Sequence, residues 1–283
     1  TGGEGFIGKN LVVRLGELAN TEVLSFTRGD NSEMLNALVA LSDAIVHLAG
    51  ENRPIDVADF TCVNTDLTRT LCEAIAGNGR PIPLILASST QAEHDNPYGQ
   101  SKCAAEQVVV AFADETANPV AIFRLPSVFG KWCKPNYNSV VATFCHNTAR
   151  DLPIPINNAA ATLQLVYVDD VVDHFMRFLD EGMDHNGSPN VKPQYSITLG
   201  ELAEQITRFQ HCRTTLISER VGTGLTRALY ATYISYLPPE QFAYDLPQYG
   251  DERGIFVEML KTPDCGQFSF FTVYPAVTRG SHY

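Results

Sequence analysis

Tyr98 and Lys102 stand four residues apart at the start of an apolar pattern (Ala104, Ala105, Val108, Val109, Phe112) with helical period, so both side chains leave one helix face. A phenol beside an ammonium is a tuned acid: the positive charge favours the phenolate and is expected to lower a pKa of about 10 in free tyrosine. Such a group can exchange a proton with a substrate oxygen near neutral pH. Upstream, the apolar run Leu84 to Ala87 has the length and flanking proline of a buried strand, and it ends at the hydroxyls of Ser88 and Ser89. Alone, Tyr-x-x-x-Lys is also what a chance pair on a solvated helix looks like. After a strand, paired serines and a polar loop, it reads as a catalytic centre.

A second chemical feature opens the chain. Thr1-Gly-Gly-Glu-Gly-Phe-Ile-Gly8 places glycines at 2, 5 and 8 ahead of a helical pattern (Leu11, Val12, Leu15, Leu18). Glycine there permits a tight turn, close backbone approach to a pyrophosphate and close helix packing, while the helix N-terminus offers amides and positive dipole. An ordinary strand-to-helix loop is the alternative. An apolar strand normally leads into such a turn, and the chain starts at Thr1 without it, so a trimmed start is expected. Val23 to Thr27 reads as the second strand. Where an acidic residue would bond the ribose 2′-hydroxyl of NAD, the chain carries Thr27-Arg28. Arg28 therefore favours NADP over NAD, a plain surface charge being the other reading.

Strands and helices alternate to position these groups. A short helix over 33–41 leads to the strand Ala44 to Gly50, helical spacing runs from Cys62 through Asn64 to Ile75, and 83–89 forms the strand before Tyr98. Val120 to Gly130 is a further buried strand running into a loop, and Leu163 to Asp170 precedes a helix over 171–179 with Asp169 or Asp170 as its cap. This is the pattern of an α/β, Rossmann-like doubly wound parallel sheet, which binds ligands at the carboxyl ends of its strands. From about Asp245 the residues alternate with turn signals, as in antiparallel strands. The expected organisation is a nucleotide-binding domain over 1–242, with a substrate subdomain at about 131–165 and 185–240, and an incomplete all-β segment over 243–283.

The 283 residues, 45% of them hydrophobic, are enough for one large domain with an appendage. A net charge of -12 repels a phosphate backbone, so nucleic-acid binding is disfavoured. No apolar run approaches the roughly 18–20 residues that span a bilayer, so no membrane partner and a cytoplasmic location are expected. Seven cysteines without C-x-x-C spacing argue against a disulfide framework or a cysteine-rich zinc site.

Taken together, Thr1-Gly-x-x-Gly-Phe-Ile-Gly8, His47-Leu-Ala-Gly50, Ser88-Ser89, Tyr98-x-x-x-Lys102 and Tyr167-Val-Asp-Asp170 resemble the extended short-chain dehydrogenases/reductases that modify nucleotide sugars. Asn96-Pro-Tyr-Gly-x-Ser-Lys102, the run from Phe129 to Val140 and a cupin-like C-terminal start resemble, more narrowly, the CapF (WbjC) type of bifunctional capsule and O-antigen enzyme.

The resemblance implies NADPH-dependent reduction at C4 of a UDP-2-acetamido-2,6-dideoxy-hexos-4-ulose, on the way to an N-acetyl-L-fucosamine precursor. Tyr98 would protonate the C4 oxygen, Lys102 hold the nicotinamide ribose, and Ser89, rather than Ser88, bond the ketone. Gly2, Gly5, Phe6, Ile7, Gly8, Arg28, Leu48, Ala49, Gly50 and Asn64 would line the cofactor. Thr90-Gln91 or Gln91-Ala92 replaces the acidic pair of sugar dehydratases, which disfavours dehydration. Ser127 and Leu163 replace residues that commonly serve the diphosphate, leaving Lys131, Lys134 and Asn136 as candidates. In the family the cupin domain holds zinc and serves epimerisation. Here His282 alone aligns with its first ligand, and about four are needed, so neither metal nor epimerase activity is expected of this chain. A homodimer through the helices bracketing Tyr98 is also implied. The alternatives are a UDP-sugar 4-epimerase with tightly held NAD, and a nucleotide-binding or dimerising fragment without activity.

Overall fold

The computed structural model describes residues 1–180 and 187–278. In chain order they form α1 (Phe6–Gly16), α2 (Ser32–Leu41), β1 (Ile45–His47), α3 (Ala58–Phe60), a π-helical turn (Thr61–Asp66), α4 (Leu67–Gly77), β2 (Leu84–Ser89), a 3-10 turn (Thr90–Glu93) and α5 (Pro97–Thr116). Then come β3 (Val120–Leu125), β4 (Ser127–Phe129), α6 (Val140–Thr148), β5 (Thr162–Tyr167), α7 (Val168–Asp180), β6 (Tyr195–Thr198), α8 (Leu199–Thr215), α9 (Gly224–Ser235), β7 (Gln248–Asp251), β8 (Gly254–Thr262) and β9 (Gly266–Phe271). They group into two compact units, 1–134 with 163–196, and 135–162 with 197–283.

The first unit is built on the parallel sheet β1-β2-β3, with Leu84 opposite Ile45 and Val120. Successive side chains of a strand face opposite ways. Leu84 and Leu86 therefore meet α2, α4 and α5 through Leu35, Leu71, Ile75, Val109 and Phe112. Ile85 enters the other layer with Leu11 of α1, Phe123 of β3, and Val172 and Phe175 of α7. Burial on both faces is why these strands read as unbroken apolar runs. β4 and β5 form a further parallel pair.

Val23 to Thr27 was expected to be a strand and joins no ladder. A ladder needs a neighbour at about 4.8 Å. Among the described residues no other segment runs beside it as a strand. The edge of β1 bonds to Thr1, whose backbone nitrogen donates to Val46 O at 2.8 Å and whose carbonyl accepts from Leu48 N at 3.2 Å. A second departure concerns α7, which begins at Val168, so Asp169 and Asp170 lie in its first turn rather than at its cap.

In the second unit α6, α8 and α9 pack on one another, with Phe209 against the rings of Tyr230 and Tyr233. A capping box between Thr198 and Glu201 starts α8. β7-β8-β9 is antiparallel and is tied to the chain after α8 by Ser218 N donating to Lys261 O at 2.9 Å. Among the described residues no helix is long and apolar enough to cross a membrane.

Candidate active site

The glycine turn is shaped by what a side chain would strike. Gly2 has φ +72, and a Cβ there would lie 2.6 Å from Ala49 N. A Cβ on Gly8 would lie 2.2 Å from Gly2 O. Gly5 N closes the turn on Gly2 O at 3.0 Å, and Phe6 and Ile7 then open α1, whose N-terminus has no side-chain cap. Bare amides in a concave glycine turn are the cradle a pyrophosphate requires.

His47 fixes the wall beside it. Its Nδ1 is 2.6 Å from Thr1 Oγ1 and its Nε2 2.9 Å from Thr68 Oγ1, while Thr68 donates its proton to Asn64 O at 2.6 Å. Thr68 must therefore accept from Nε2–H, which leaves Nδ1 as the acceptor for Thr1. Burial, with Lys102 adding to it, pushes the His47 pKa well down, so the ring is neutral. Leu48, Ala49 and Gly50 follow. A Cβ on Gly50 would lie 3.0 Å from Lys102 Nζ and 3.1 Å from Asn64 Oδ1, so the backbone is drawn up to both. Buried Asn64 accepts from Glu51 N at 2.9 Å and donates to Ser101 Oγ at 3.0 Å, linking this wall to α5.

α5 begins where its sequence says it should. Asn96 Oδ1 accepts from Gly99 N at 2.8 Å, and Pro97 supplies a preset φ in the first turn. A Cβ on Gly99 would strike Gln91 O and His94 O, so the helix start sits directly on the 3-10 turn after Ser89. Tyr98 is thereby brought to the side of β2 that ends at Ser89, whose Oγ accepts from Gln91 N at 3.1 Å, and the Phe60 ring tilts over the phenol at 5.7 Å. Lys102, 7% exposed, lies with Nζ 3.3 Å from Ala87 O and 6.0 Å from the Tyr98 ring centre.

The electrostatics differ from the reading of the spacing. Burial raises the Tyr98 pKa, with nearby Ser89 only partly opposing it. Burial also pushes the Lys102 pKa down to about 8, against the attraction of Glu106, and below that the lysine is charged.

Ser88 has another partner. It shares strand parity with Leu84 and Leu86, so it faces α5 and donates to Glu106 Oε1 at 2.5 Å. Arg28 is 86% exposed in its side chain and reaches Glu51 Oε2 at 3.0 Å. Burial pushes the Glu51 carboxyl up, but the amides of Arg53 and Asn52 and the Arg28 guanidinium outweigh it and hold the pKa below the ordinary value. Lys131 Nζ pairs with Asp169 Oδ1 at 3.1 Å and stands 5.6 Å from the Trp132 ring centre. Lys134 is the last residue of the first unit's opening segment. Asn136 belongs to the second unit, at φ +54 with its amide donating to Thr143 Oγ1 at 2.9 Å. His282 lies outside the described residues, among which no group of His, Cys, Asp or Glu is arranged to hold a metal. Sequence reasoning passed over Phe60, Glu51, Arg124 and Glu106. Glu106 was findable, because 98, 102 and 106 repeat at four residues along one helix face.

A glycine turn opening a helix beside a parallel sheet, with Tyr and Lys one helical turn apart at the strand ends, is the arrangement of the extended short-chain dehydrogenases/reductases. The chain belongs to the NAD dependent epimerase/dehydratase family, which it matches over residues 1–191, and residues 249–283 match the polysaccharide biosynthesis C-terminal domain. Over 283 residues it is 54% identical to the UDP-2-acetamido-2,6-beta-L-arabino-hexul-4-ose reductase of Pseudomonas aeruginosa, covering 100% of this chain and 76% of that one. The capsular polysaccharide assembling protein CapF from Staphylococcus aureus superposes with a TM-score of 0.90 at 40% identity, over 99% of this chain and 76% of that one. The Bordetella bronchiseptica enzyme WbmF, solved with NAD+ and UDP, shares the fold at 20% identity (TM-score 0.69, 83% of this chain, 90% of that one).

Proposed function

We propose that this chain reduces the C4 ketone of a UDP-2-acetamido-2,6-dideoxy-hexos-4-ulose with NADPH, in the synthesis of a capsule or O-antigen precursor. The observation that carries the reading is Tyr98 in the first turn of α5, packed on the 3-10 turn that follows Ser89 at the carboxyl end of β2, with buried Lys102 one turn further along the same helix, in a chain 54% identical to a reductase of such a sugar. The glycine cradle fits a dinucleotide, since Cβ atoms on Gly2 or Gly8 would fill it. Gly2, Gly5, Phe6, Ile7 and Gly8 would hold the pyrophosphate, Arg28 a 2′-phosphate, Leu48, Ala49, Gly50 and Asn64 the adjoining wall, and Lys102 the nicotinamide ribose. When bound, NADPH supplies the hydride.

Ser89 hydrogen-bonds the ketone oxygen. Tyr98 donates its phenolic proton to that oxygen as it gains negative charge, and the Lys102 ammonium favours the phenolate left behind. The raised Tyr98 pKa suits this direction, because a proton donor must still carry its proton at neutral pH. Water loss is not served here. Gln91 and Thr90 carry no carboxylate, and Glu93 is paired with Arg124 at 3.0 Å. Residues 1–242 are assigned to the reductase, the segments at about 131–165 and 185–240 to substrate binding, a homodimer is the assigned assembly, and the cytoplasm the assigned location. Within this reading Lys131 and Lys134 serve the diphosphate, Lys131 with its charge shared by Asp169.

The test is NADPH oxidation on the keto sugar, followed at 340 nm, with NADH in parallel. Oxidation in proportion to sugar consumed is the expected result. Interconversion of sugars with no net oxidation would instead favour a 4-epimerase, and no turnover with no thermal shift by either cofactor would favour an inactive fragment. Arg28→Asp is expected to lower the preference for NADPH over NADH in kcat/KM by about 10- to 100-fold, as for the loss of a charge-assisted contact. An unchanged preference would leave Arg28 a surface charge.

A further inference from the structure

β4 runs out into a tight turn, Gly130-Lys131-Trp132-Cys133, closed by Cys133 N donating to Gly130 O at 3.4 Å. Its third residue, Trp132, stands at φ +68, where turns of this kind ordinarily carry glycine. Ala117 and Leu216 take the same left-handed region as C-caps of α5 and α8, a usual place for it. Trp132 caps no helix. A bulky side chain there crowds its own backbone, and with Trp132 49% exposed, burial does not fully offset that strain. Strained residues persist where the surroundings impose them, and they gather at functional sites.

Three contacts impose this one. A Cβ on Gly130, at φ +150, would lie 2.3 Å from Val168 Cγ1, so the turn is pressed on the first residue of α7. Buried Asn10 of α1 donates through Nδ2 to Lys131 O at 3.2 Å and to Phe6 O at 2.9 Å. Phe6 opens α1 directly after the glycine turn, so a single amide joins the Trp132 turn to the helix that starts at the cofactor cradle. Lys131 Nζ, in turn, reaches Asp169 Oδ1 at 3.1 Å and stands 5.6 Å from the indole centre. β4 pairs in parallel with β5, and the turn leaves its carboxyl end, where such sheets bind ligands. It offers a flat aromatic face and a cation side by side.

A ring joined to a diphosphate matches that pair. We propose that Trp132 is a binding residue for the nucleotide sugar: with Lys131 on the diphosphate, the indole packs on a ring that flanks it, uracil or hexose, and the imposed backbone keeps the indole in place. The inference rests on reading the chain as an enzyme of UDP-sugars.

Trp132 is the single tryptophan of the chain, so its emission reports on this turn alone. UDP and UDP-N-acetylglucosamine are titrated into the full chain, with NADP+ absent and then present, under excitation at the red edge of indole absorption, where uracil and tyrosine are transparent. A saturable change with UDP places the uridine on the indole, and a change that requires UDP-N-acetylglucosamine places the hexose there; either supports the proposal. Trp132→Gly, which suits φ +68, should raise KM for the keto sugar by about 10-fold or more with kcat near wild type, as for a stacking contact made equally in ground and transition states. Its thermal midpoint should be equal or higher, and Trp132→Phe should recover most of the loss in KM. Emission unmoved by both ligands would overturn the proposal, as would a wild-type KM in Trp132→Gly. If that variant does not fold, the emission of the unaltered chain decides alone. The titration needs no turnover: a chain that reduces no keto sugar yet responds to UDP would remove the reductase reading and keep Trp132 in its role, whereas an active reductase with a silent indole would do the reverse.

Discussion

Tyr98→Phe is expected to lower kcat for keto-sugar reduction by about 10²- to 10⁴-fold, the range a positioned acid contributes, with NADPH affinity and thermal midpoint near wild type. The phenyl ring keeps the contact with Phe60 and loses only the hydroxyl, so the effect isolates proton donation. Wild-type turnover in the folded variant would remove Tyr98 from the mechanism. The pH dependence of the native chain gives a second handle. Lys102 is held at about 8 in the fold, against about 10.4 in an unfolded chain. Below about 8 it is protonated in both states. Between there and about 10.4 the unfolded chain retains a proton that the folded chain has released, so the Lys102 contribution to stability rises with pH. Activity should move the other way, with kcat/KM falling as pH rises through about 8 and the ammonium is lost. A fall in kcat/KM that tracked a fall in the thermal midpoint over that window would point to unfolding instead.

The opposite signs depend on burial, and burial was the part of the site hardest to read from the chain. The elements were accessible: the apolar run ending at Ser88-Ser89 became β2, and Asn96-Pro97 started α5 within one residue of Tyr98 because a cap and a preset φ are local. The parallel sheet followed from runs apolar on both faces. Three features were set by neighbours far along the chain. Val23 to Thr27 has strand composition, but a strand exists only with a partner, and among the described residues none pairs with it. Spacing put Lys102 next to Tyr98, yet what governs both pKa values is desolvation at the end of β2. Ser88 and Ser89 are adjacent letters with opposite facings, and only the position of Glu106 shows which one is taken. The 98/102/106 repeat was visible, but its meaning required Arg124 to arrive on β3.

Gly8→Ala should abolish the cofactor cradle. Its added methyl would lie 2.2 Å from Gly2 O and 2.7 Å from Gly3 Cα, both backbone atoms, so no side-chain rotation relieves the clash and the turn itself must open. Overpacking of this kind costs about 1–3 kcal/mol, which corresponds to NADPH binding weakened roughly 10- to 100-fold if the strain falls on the bound geometry. The same strain should lower the thermal midpoint by about 2–4 °C for each kcal/mol. Gly16→Ala is the matched control. It changes the same residue type in the same helix, meets nothing within 4 Å, and exchanges glycine for the best helix former. That variant should bind NADPH as wild type does and melt at an equal or higher temperature. Titration calorimetry and thermal shift on both chains read the contrast directly. Equal NADPH affinity in the two variants would mean that the pyrophosphate does not sit on the turn between Gly2 and Gly8, and with it would go the placement of the nicotinamide ribose at Lys102.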